Sequence, residues 1–247
     1  MIHLSKRMNA VAAMVTQGNV IADIGTDHAY VPIALVQQKR IPKAIAMDIN
    51  KGPLQQAREH IAMCQVEDYI ETRLSDGVEG LKVNEVDTIV IAGMGGDLVI
   101  RIMTEGEAVC RSAKELVLQP QSELRRVRKY LRENNYKIID EDMILEDGKY
   151  YPMMKVVPVE ENLFWKLLPQ DITDPCDMYG PLLLKNGNPV LRKFLVKQHK
   201  QLTKILKGLE EQPESPAIAQ RKMQVQEELA INESAYSILG VIKNAGI

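Results

Sequence analysis

The chain has 247 residues, of which 45% are hydrophobic, and its formal charge is −2 at neutral pH. This composition is sufficient for a buried core and excludes global disorder, while the small net charge means that any basic surface has to be local. The three cysteines lie far apart, and no stretch resembles a signal peptide or a membrane span, which favours a soluble cytoplasmic protein without disulfides or a metal site.

Strand-like and helix-like segments alternate through the first 160 residues. A short helix over 5–17 begins at Ser5, and a later helix has Ser122 as its predicted cap. Between and after these caps the pattern predicts strands at 20–24, 43–49, 69–74, 86–93 and 114–120, and helices at 28–38, 51–64, 95–106 and 122–135. Residues 136–159 indicate two strands joined at Asp147-Gly148, a hairpin turn signal. Such alternation predicts an α/β fold with a doubly wound, mostly parallel sheet and an antiparallel edge.

The remaining residues, 161–247, are predicted to form a second domain after the α/β domain of residues 1–160. Residues 160–188 are expected to be irregular, because they contain several prolines. Two long helices follow, at about 189–211 and 217–243, and their apolar residues recur at alternating spacings of four and three. This pattern predicts an antiparallel coiled-coil hairpin. The seam positions are Leu191, Leu195, Gln198, Leu202, Ile205 and Leu209 in the first helix, and Ile218, Val225, Leu229, Asn232, Tyr236 and Leu239 in the second.

The first of these long helices has a basic side. No acidic residue occurs between Met178 and Leu209, and five lysines follow the seam positions by two residues, about 200° around a helix. They form a stripe that we call the basic stripe: Lys193, Lys197, Lys200, Lys204 and Lys207. Such a stripe is able to follow a phosphate backbone. The alternatives are a solvated surface for the stripe and a merely stabilising or dimerising role for the hairpin.

The turn after the first strand, G-T-D-H-A-Y, contains acidic residues where a dinucleotide-binding turn has glycines. Asp27 occupies the place of the phosphates, and Asp23 lies just before the turn. Because like charges repel, a pyrophosphate ligand is disfavoured and a ligand with an ammonium and a sulfonium group is favoured. S-adenosylmethionine is such a ligand.

Further strand ends supply groups that suit the rest of S-adenosylmethionine. Asp48 ends the second strand, where a carboxylate accepts both ribose hydroxyls, and Asp76 follows the third strand, where it accepts from the adenine amino group. Gly93-Met94-Gly95-Gly96 follows the fourth strand, where small residues let the backbone approach the reacting centre. Each signal alone is weak, since an acid at a strand end is often only a cap.

The segments DIGTDHAYVPIAL, AMDIN, SDG, IAGMGG, LQPQ and LSKRM resemble the bacterial tRNA (adenine-22-N1)-methyltransferase family, over nearly the whole chain. The resemblance implies a Rossmann-like class I methyltransferase domain, S-adenosylmethionine as methyl donor and tRNA as acceptor. The implied donor site comprises Asp23, Gly25, Thr26, Asp27, His28, Asp48, Ile49, Asp76, Gly77, Gly93 and Met94, and Arg7 is a candidate for the donor carboxylate or for a phosphate.

An AGMGG segment replaces the Asn/Asp-Pro-Pro-aromatic motif of many enzymes that methylate exocyclic amines. Ring N1 of adenine has an in-plane lone pair and attacks the methyl group directly, so alignment and stabilisation of the growing positive charge are sufficient. Asp27 is the candidate for that stabilisation, with donor binding as the alternative. Met94, like Tyr30, Tyr150 and Tyr151, is a candidate for stacking on an adenine that has to be unpaired or flipped out. Gln119 is expected either to bind the adenine edge or to cap the next helix.

RNA contacts are also expected from the helix that follows the fifth strand, which carries Arg125, Arg126, Arg128, Lys129 and Arg132. No obligate protein partner is evident, and a monomer is expected. Three other functions remain open: a methyltransferase of another RNA or of a small molecule, a nicotinamide enzyme, and a non-catalytic RNA-binding protein. The acidic turn argues against nicotinamide, and about 50 residues of charged coiled coil argue against a small acceptor.

Overall fold

The computed structural model describes residues 2–162 and 170–240. It divides the chain into two compact units, Met1–Asn162 and Leu163–Ile247, each of which is described by itself. The predicted α/β fold and the C-terminal helical hairpin are both confirmed.

The first unit is built on one seven-stranded sheet with the strand order β3-β2-β1-β4-β5-β7-β6. The first five strands are parallel, and β6 and β7 complete the sheet as an antiparallel hairpin. Asp147 and Gly148 both have left-handed backbone angles, as a tight hairpin turn requires. The strands are β1 Ile21–Ile24, β2 Ala44–Asp48, β3 Ile70–Leu74, β4 Thr88–Met94, β5 Glu115–Pro120, β6 Tyr136–Glu146 and β7 Lys149–Pro158.

Helices connect the parallel strands and cover both faces of the sheet. On one face Ile21, Val90 and Val117 join a cluster with residues of the first three helices. The alternate residues Ile89, Ile91 and Leu118 are equally buried, as expected for a sheet that is covered on both sides. The helices of this unit are α1 Lys6–Met14, α2 Tyr30–Gln37, α3 Lys51–Met63, α4 Gly96–Glu105, α5 Glu107–Ser112 and α6 Leu124–Glu133.

Two predicted helix starts are wrong. The helix expected from residue 28 begins at Tyr30, because His28 and Ala29 both have left-handed backbone angles that a helix does not tolerate. Ser122 does not cap α6; Glu123 precedes that helix in a left-handed conformation, and the Ser122 hydroxyl instead accepts from the Gly96 amide. Ser5, in contrast, caps α1 as predicted, since its hydroxyl accepts from the Met8 amide.

A buried ion pair joins α6 to the edge hairpin. Arg128 and Glu141 have fully buried side chains, and Arg128 Nε lies 3.0 Å from Glu141 Oε1. Arg128 is therefore not available to RNA, which corrects its prediction as one of the RNA contacts of this helix. Its position on the buried side of α6 matches the buried Val127 and Leu131.

The second unit is entirely helical in its described part. Residues 160–188 were expected to be irregular, but two helices, α7 Gln170–Tyr179 and α8 Pro181–Lys185, lie in this range. Pro181 stands at the first position of α8, where a missing amide hydrogen costs nothing. The hairpin consists of α9 Pro189–Glu210 and α10 Pro216–Ile238, both of which begin with proline.

The hairpin seam differs from the prediction at two positions. Leu191, Leu195, Leu202, Val225 and Asn232 are buried as predicted, whereas Ile205 and Tyr236 are exposed. Leu206 and Ala235 are more buried than these neighbours and take the inward positions. A spacing of four and a spacing of three are both compatible with one helix face, so the sequence does not decide between adjacent apolar residues.

No described helix is both long and apolar enough to span a membrane.

The buried ion pair generates a prediction about stability. Arg128→Met removes the guanidinium that lies 3.0 Å from the buried Glu141 carboxylate, and we expect it to lower the free energy of unfolding by about 3–5 kcal/mol. Guanidinium unfolding followed by circular dichroism measures this loss. The double variant Arg128→Met/Glu141→Leu is the control and should recover most of it; a single variant within about 1 kcal/mol of wild type would contradict the prediction.

Candidate functional site

The carboxyl ends of four neighbouring strands lie side by side and bring together the predicted acidic residues. The order β3-β2-β1-β4 places Asp76, Asp48, Asp23 and Gly93 in that sequence along one edge of the sheet. The turns are tied to one another, because the Thr26 amide donates to the Met47 carbonyl (2.8 Å) and the Ser75 amide donates to the Asp48 carbonyl (3.0 Å). The strand order reverses between β1 and β4. A crevice at the carboxyl ends of the strands beside such a switch point is the usual ligand site of these sheets.

A cavity of about 200 Å³, the central cavity, opens above β1 and β4. Seven residues predicted for the site line it: Arg7, Asp23, Gly25, Asp27, Tyr30, Gly93 and Met94. Five others were not predicted for this place: Met8, Val11, Val31, Ala92 and Gln121. Thr26, His28 and Gln119 are not part of the lining.

Asp23 is a buried carboxylate at the floor of the central cavity. Its pKa is raised to about 6, mainly by burial; a hydrogen bond from the Thr26 hydroxyl opposes the rise, and the nearby Asp48 carboxylate adds to it. That bond, from Thr26 Oγ1 to Asp23 Oδ2, is 2.6 Å long. Thr26 is therefore a partner of Asp23 rather than a residue of the cavity wall. A carboxylate with these surroundings gains from any cation that enters the cavity.

Two glycines give the cavity its shape. Gly25 has φ +70°, and a Cβ at this position would collide with the Met94 side chain. Gly93 has φ +82° and lies at a bulge in the pairing of β4 with β5, between Ala92 and Met94. The bulge lets Ala92, Gly93 and Met94 all line the cavity, which a regular strand with alternating side chains does not allow.

Asp27 lies at the open side of the cavity, and 72% of its side-chain surface is exposed. Its Oδ1 atom is 3.2 Å from Nε2 of His28. The His28 ring stacks on Tyr30 and His60, with ring centroids 5.1 Å and 5.0 Å away. His28, which was predicted to bind the donor, thus supports Asp27 and Tyr30 from outside the lining.

Arg7 reaches the cavity from α1 and is held by two contacts. Its guanidinium donates to Gln119 Oε1 over 2.9 Å, and its Cζ atom lies 5.7 Å from the centroid of the Tyr151 ring. Gln119 is fully buried, and its amide nitrogen donates to the Pro120 carbonyl. Both polar ends of Gln119 have partners inside the protein, and one of these partners is Arg7. Gln119 does not cap α6, whose N-cap is Glu123, and its contact with the adenine edge stays a prediction.

A second, shallow depression lies at the ends of β2 and β3. Ile49 and Leu74, both of which line it, are 56% and 50% exposed, although they are large and apolar. Asp76 lines the same depression, and Arg101 of α4 grips both of its carboxylate oxygens, at 2.9 and 3.2 Å. The next residue, Gly77, packs closely against Ile102, because a Cβ atom at this position would lie 3.0 Å from the Ile102 side chain. Exposed apolar side chains beside a carboxylate suit a flat heterocycle that has an amino group.

Asp48 lies between the two depressions and lines neither of them. Its Oδ1 atom accepts from the Asn50 amide over 2.7 Å, which fixes the carboxylate at the end of β2. One oxygen thus serves the local turn, and lone pairs remain for a ligand that spans the crevice.

The basic residues of α6 have different surroundings. Arg126 is exposed and forms an ion pair with Asp97, and Lys129 lies 3.9 Å from Glu133. Arg125 is half-buried. Exposed pairs of this kind contribute little, so they do not prevent these side chains from contacting a phosphate.

The basic stripe is exposed along the whole length of α9. All five of its lysines are exposed to solvent: Lys193, Lys197, Lys200, Lys204 and Lys207. Lys222 of α10, by contrast, has a largely covered side chain whose Nζ lies 3.2 Å from Glu214.

Within residues 2–162 and 170–240, no three His, Cys, Asp or Glu side chains come together as a metal site requires. The crevice combines the carboxylates of Asp23, Asp27, Asp48 and Asp76 with two exposed apolar side chains and with the arginines Arg7 and Arg101. This donor set suits an extended cationic ligand that has an amino-acid end, two ribose hydroxyls and an aromatic base.

Three residues of the site, Leu74, Arg101 and Gln121, were not predicted from the sequence. Leu74 was counted only as part of a strand, and Gln121 stands in the LQPQ segment two residues after the glutamine that was chosen. Arg101 lies on a helix 25 residues beyond Asp76, and only the folded structure brings the two together.

Comparison with known proteins agrees with this geometry. The family described as "Methyltransferase domain" matches residues 4–154. The tRNA (adenine(22)-N(1))-methyltransferase of Bacillus subtilis is 35% identical over 193 residues, which are 78% of this chain and 79% of that protein.

Solved structures extend the similarity to the C-terminal unit. The crystal structure of the B. subtilis m1A22 tRNA methyltransferase TrmK has a TM-score of 0.85 at 28% identity, covering 96% of this chain and 100% of that one. Streptococcus pneumoniae Sp1610, a putative tRNA (m1A22) methyltransferase solved with S-adenosyl-L-methionine, has a TM-score of 0.81 at 28% identity, covering 95% and 100%. The chain therefore belongs to the tRNA (adenine(22)-N1)-methyltransferase family.

Proposed function

We propose that this protein transfers the methyl group of S-adenosylmethionine to ring N1 of an unpaired adenine, position 22, of tRNA. The observation that carries the proposal is the row of carboxylates at adjoining strand ends, with Asp23 buried at its centre. The choice of tRNA as the methyl acceptor rests on the family relationship.

S-adenosylmethionine supplies an electrophilic methyl group on a positively charged sulfur. Asp23 attracts the cationic amino-acid end, Arg7 holds its carboxylate, and Asp48 accepts the ribose hydroxyls. Ile49 and Leu74 enclose the adenine of the donor, while Asp76, oriented by Arg101, accepts from its amino group. Contacts of this number and spread fix the methyl group relative to the acceptor, which is the main contribution that positioning makes to such a reaction.

The acceptor adenine enters at the open side of the central cavity, beside Asp27, Tyr30 and Met94. Its N1 lone pair forms the new N–C bond while the S–C bond breaks, and no proton has to leave. The positive charge passes from sulfur to the methylated base, where the exposed Asp27 carboxylate stabilises it. Met94 and Tyr30 supply flat or polarisable surfaces for the base.

The tRNA body is held by the basic stripe of α9, with Arg125, Arg126 and Lys129 of α6 as additional phosphate contacts. Residues 1–160 form the catalytic domain and residues 161–247 the tRNA-holding domain. We expect the protein to act as a monomer. Its three free cysteines fit a reducing cytoplasm, where tRNA is modified.

The activity is tested with a tRNA transcript, labelled S-adenosylmethionine and mass spectrometry of the nucleosides. We expect 1-methyladenosine, one per tRNA, and its loss when adenine 22 of the transcript is replaced by guanine.

Asp48→Ala should raise the KM for the donor about 10- to 100-fold, because a charged acceptor of hydrogen bonds from the ribose hydroxyls is lost. Methylation of another nucleoside, or transfer only to a small molecule, would refute the proposal.

The raised pKa of Asp23 predicts how donor binding depends on pH. The carboxylate attracts the cation only when it is ionised, so the Kd for S-adenosylmethionine should fall several-fold as pH rises from 5 to 7, through the pKa of about 6. Calorimetric titration at each pH measures this. Asp23→Asn should bind more weakly and lose the change over this range; a wild-type Kd that is constant between pH 5 and 7 would be evidence against a cation at Asp23.

The basic stripe is tested by Lys193→Gln/Lys200→Gln/Lys204→Gln. Removal of three phosphate contacts should raise the Kd for tRNA at least about tenfold at low salt and reduce the slope of log Kd against log salt by about 2–3. The matched control is Lys43→Gln/Lys82→Gln/Lys137→Gln, three exposed lysines of the other unit. Equal losses in both triple variants would show that only overall charge matters. Donor affinity should be unchanged in both.

A further inference from the structure

A groove between α9 and α10 is an unexplained feature of the helical unit. Its volume is about 370 Å³, and its wall includes Leu195, Val196 and Tyr236. Tyr236 is 46% exposed, because Ala235 rather than Tyr236 takes the inward position in the seam. An aromatic side chain is thus exposed at the surface of a charged hairpin, although the packing of the two helices does not depend on it.

The Tyr236 ring is held in place. Arg192 of α9 lies over it, with Cζ 5.8 Å from the ring centroid. Such a cation–π contact restricts both side chains and prepares the ring for a further planar group, at little cost in side-chain freedom.

Polar side chains at the floor of the groove are paired with one another. Asn232, which is buried in the seam, donates to the Leu195 carbonyl (3.2 Å) and to Gln198 Oε1 (3.0 Å). The hydroxyl of Tyr179 donates to the same Gln198 oxygen over 2.8 Å. Because these groups satisfy one another, the groove favours an occupant that binds through a flat apolar face rather than through hydrogen bonds to the floor.

The charges around the groove select an anionic occupant. Lys200, a member of the basic stripe, lines the groove, and Arg192 stands beside it. Among the described residues that line the groove, Glu233 is the one acid, and it lies 3.9 Å from His199. A second copy of the hairpin would bring the same lysine-rich α9 against this surface, and the like charges would repel.

We propose that this groove is a stacking site for an unpaired nucleobase of tRNA, with Tyr236 as the platform and Lys200 as the contact for the adjacent phosphate. The inference rests on the proposed function, in which the hairpin holds tRNA. Stacking on an aromatic side chain accepts any base, since every base has a π face. The site would therefore add affinity without reading sequence.

The test measures tRNA binding by three variants of the full chain. Tyr236→Ala should raise the Kd about 5- to 100-fold, while Tyr236→Phe keeps the ring and should stay within about twofold of wild type. Met223→Ala, a change at a 70% exposed apolar residue of the same helix, is the control and should have no effect. Because stacking releases no counterions, the salt slope of Tyr236→Ala should equal that of wild type.

The outcomes separate this inference from the proposed function. If Tyr236→Ala binds tRNA normally while the triple lysine variant is weak, the stacking site is wrong and the tRNA-holding role of the hairpin stands. If both bind normally, both ideas are wrong. An equal loss in Tyr236→Phe would assign the effect to the hydroxyl and overturn stacking. A concentration-dependent dimer in sedimentation equilibrium that Tyr236→Ala abolishes, with tRNA affinity unchanged, would identify the groove as a contact between copies.

Discussion

The burial of one carboxylate beside a second at adjoining strand ends is the constraint on which the crevice depends. The parallel sheet places Asp23 next to Asp48, and burial raises the pKa of Asp23 to about 6. In the ligand-free protein, ionisation of the buried Asp23 costs about 3 kcal/mol. The stability that the neutral carboxyl group contributes is therefore lost as pH rises through about 6. A cationic ligand offsets the cost, and a diphosphate would increase it. Discrimination among nucleotide-like ligands therefore follows from the fold itself.

Much of the α/β unit was predictable because each signal is local. Alternating strand and helix patterns are sufficient for a parallel sheet, and Asp147-Gly148 is sufficient for a hairpin turn. The acidic site residues were predictable for a related reason: a residue that ends a parallel strand lies at the same edge as the ends of the neighbouring strands, so Asp23, Asp48 and Asp76 converge without any knowledge of side-chain contacts.

The errors concern features that depend on tertiary contacts. Arg128 looks like one of several helix cations until its partner Glu141, on another element, is known. Gln119 and Gln121 stand two residues apart, and only the folded chain shows that the first supports Arg7 while the second lines the cavity. In the hairpin, the choice between Ala235 and Tyr236 depends on how the two helices meet, which spacing alone leaves open.

The charge preference of the crevice is tested most directly by calorimetric titration of the wild-type chain with two ligands, S-adenosylmethionine and nicotinamide adenine dinucleotide. The acidic strand ends predict saturable binding of the sulfonium compound at one site per chain, and no binding of the dinucleotide at the same concentrations. Saturable binding of the dinucleotide, with no heat from S-adenosylmethionine, would contradict the electrostatic basis of the site.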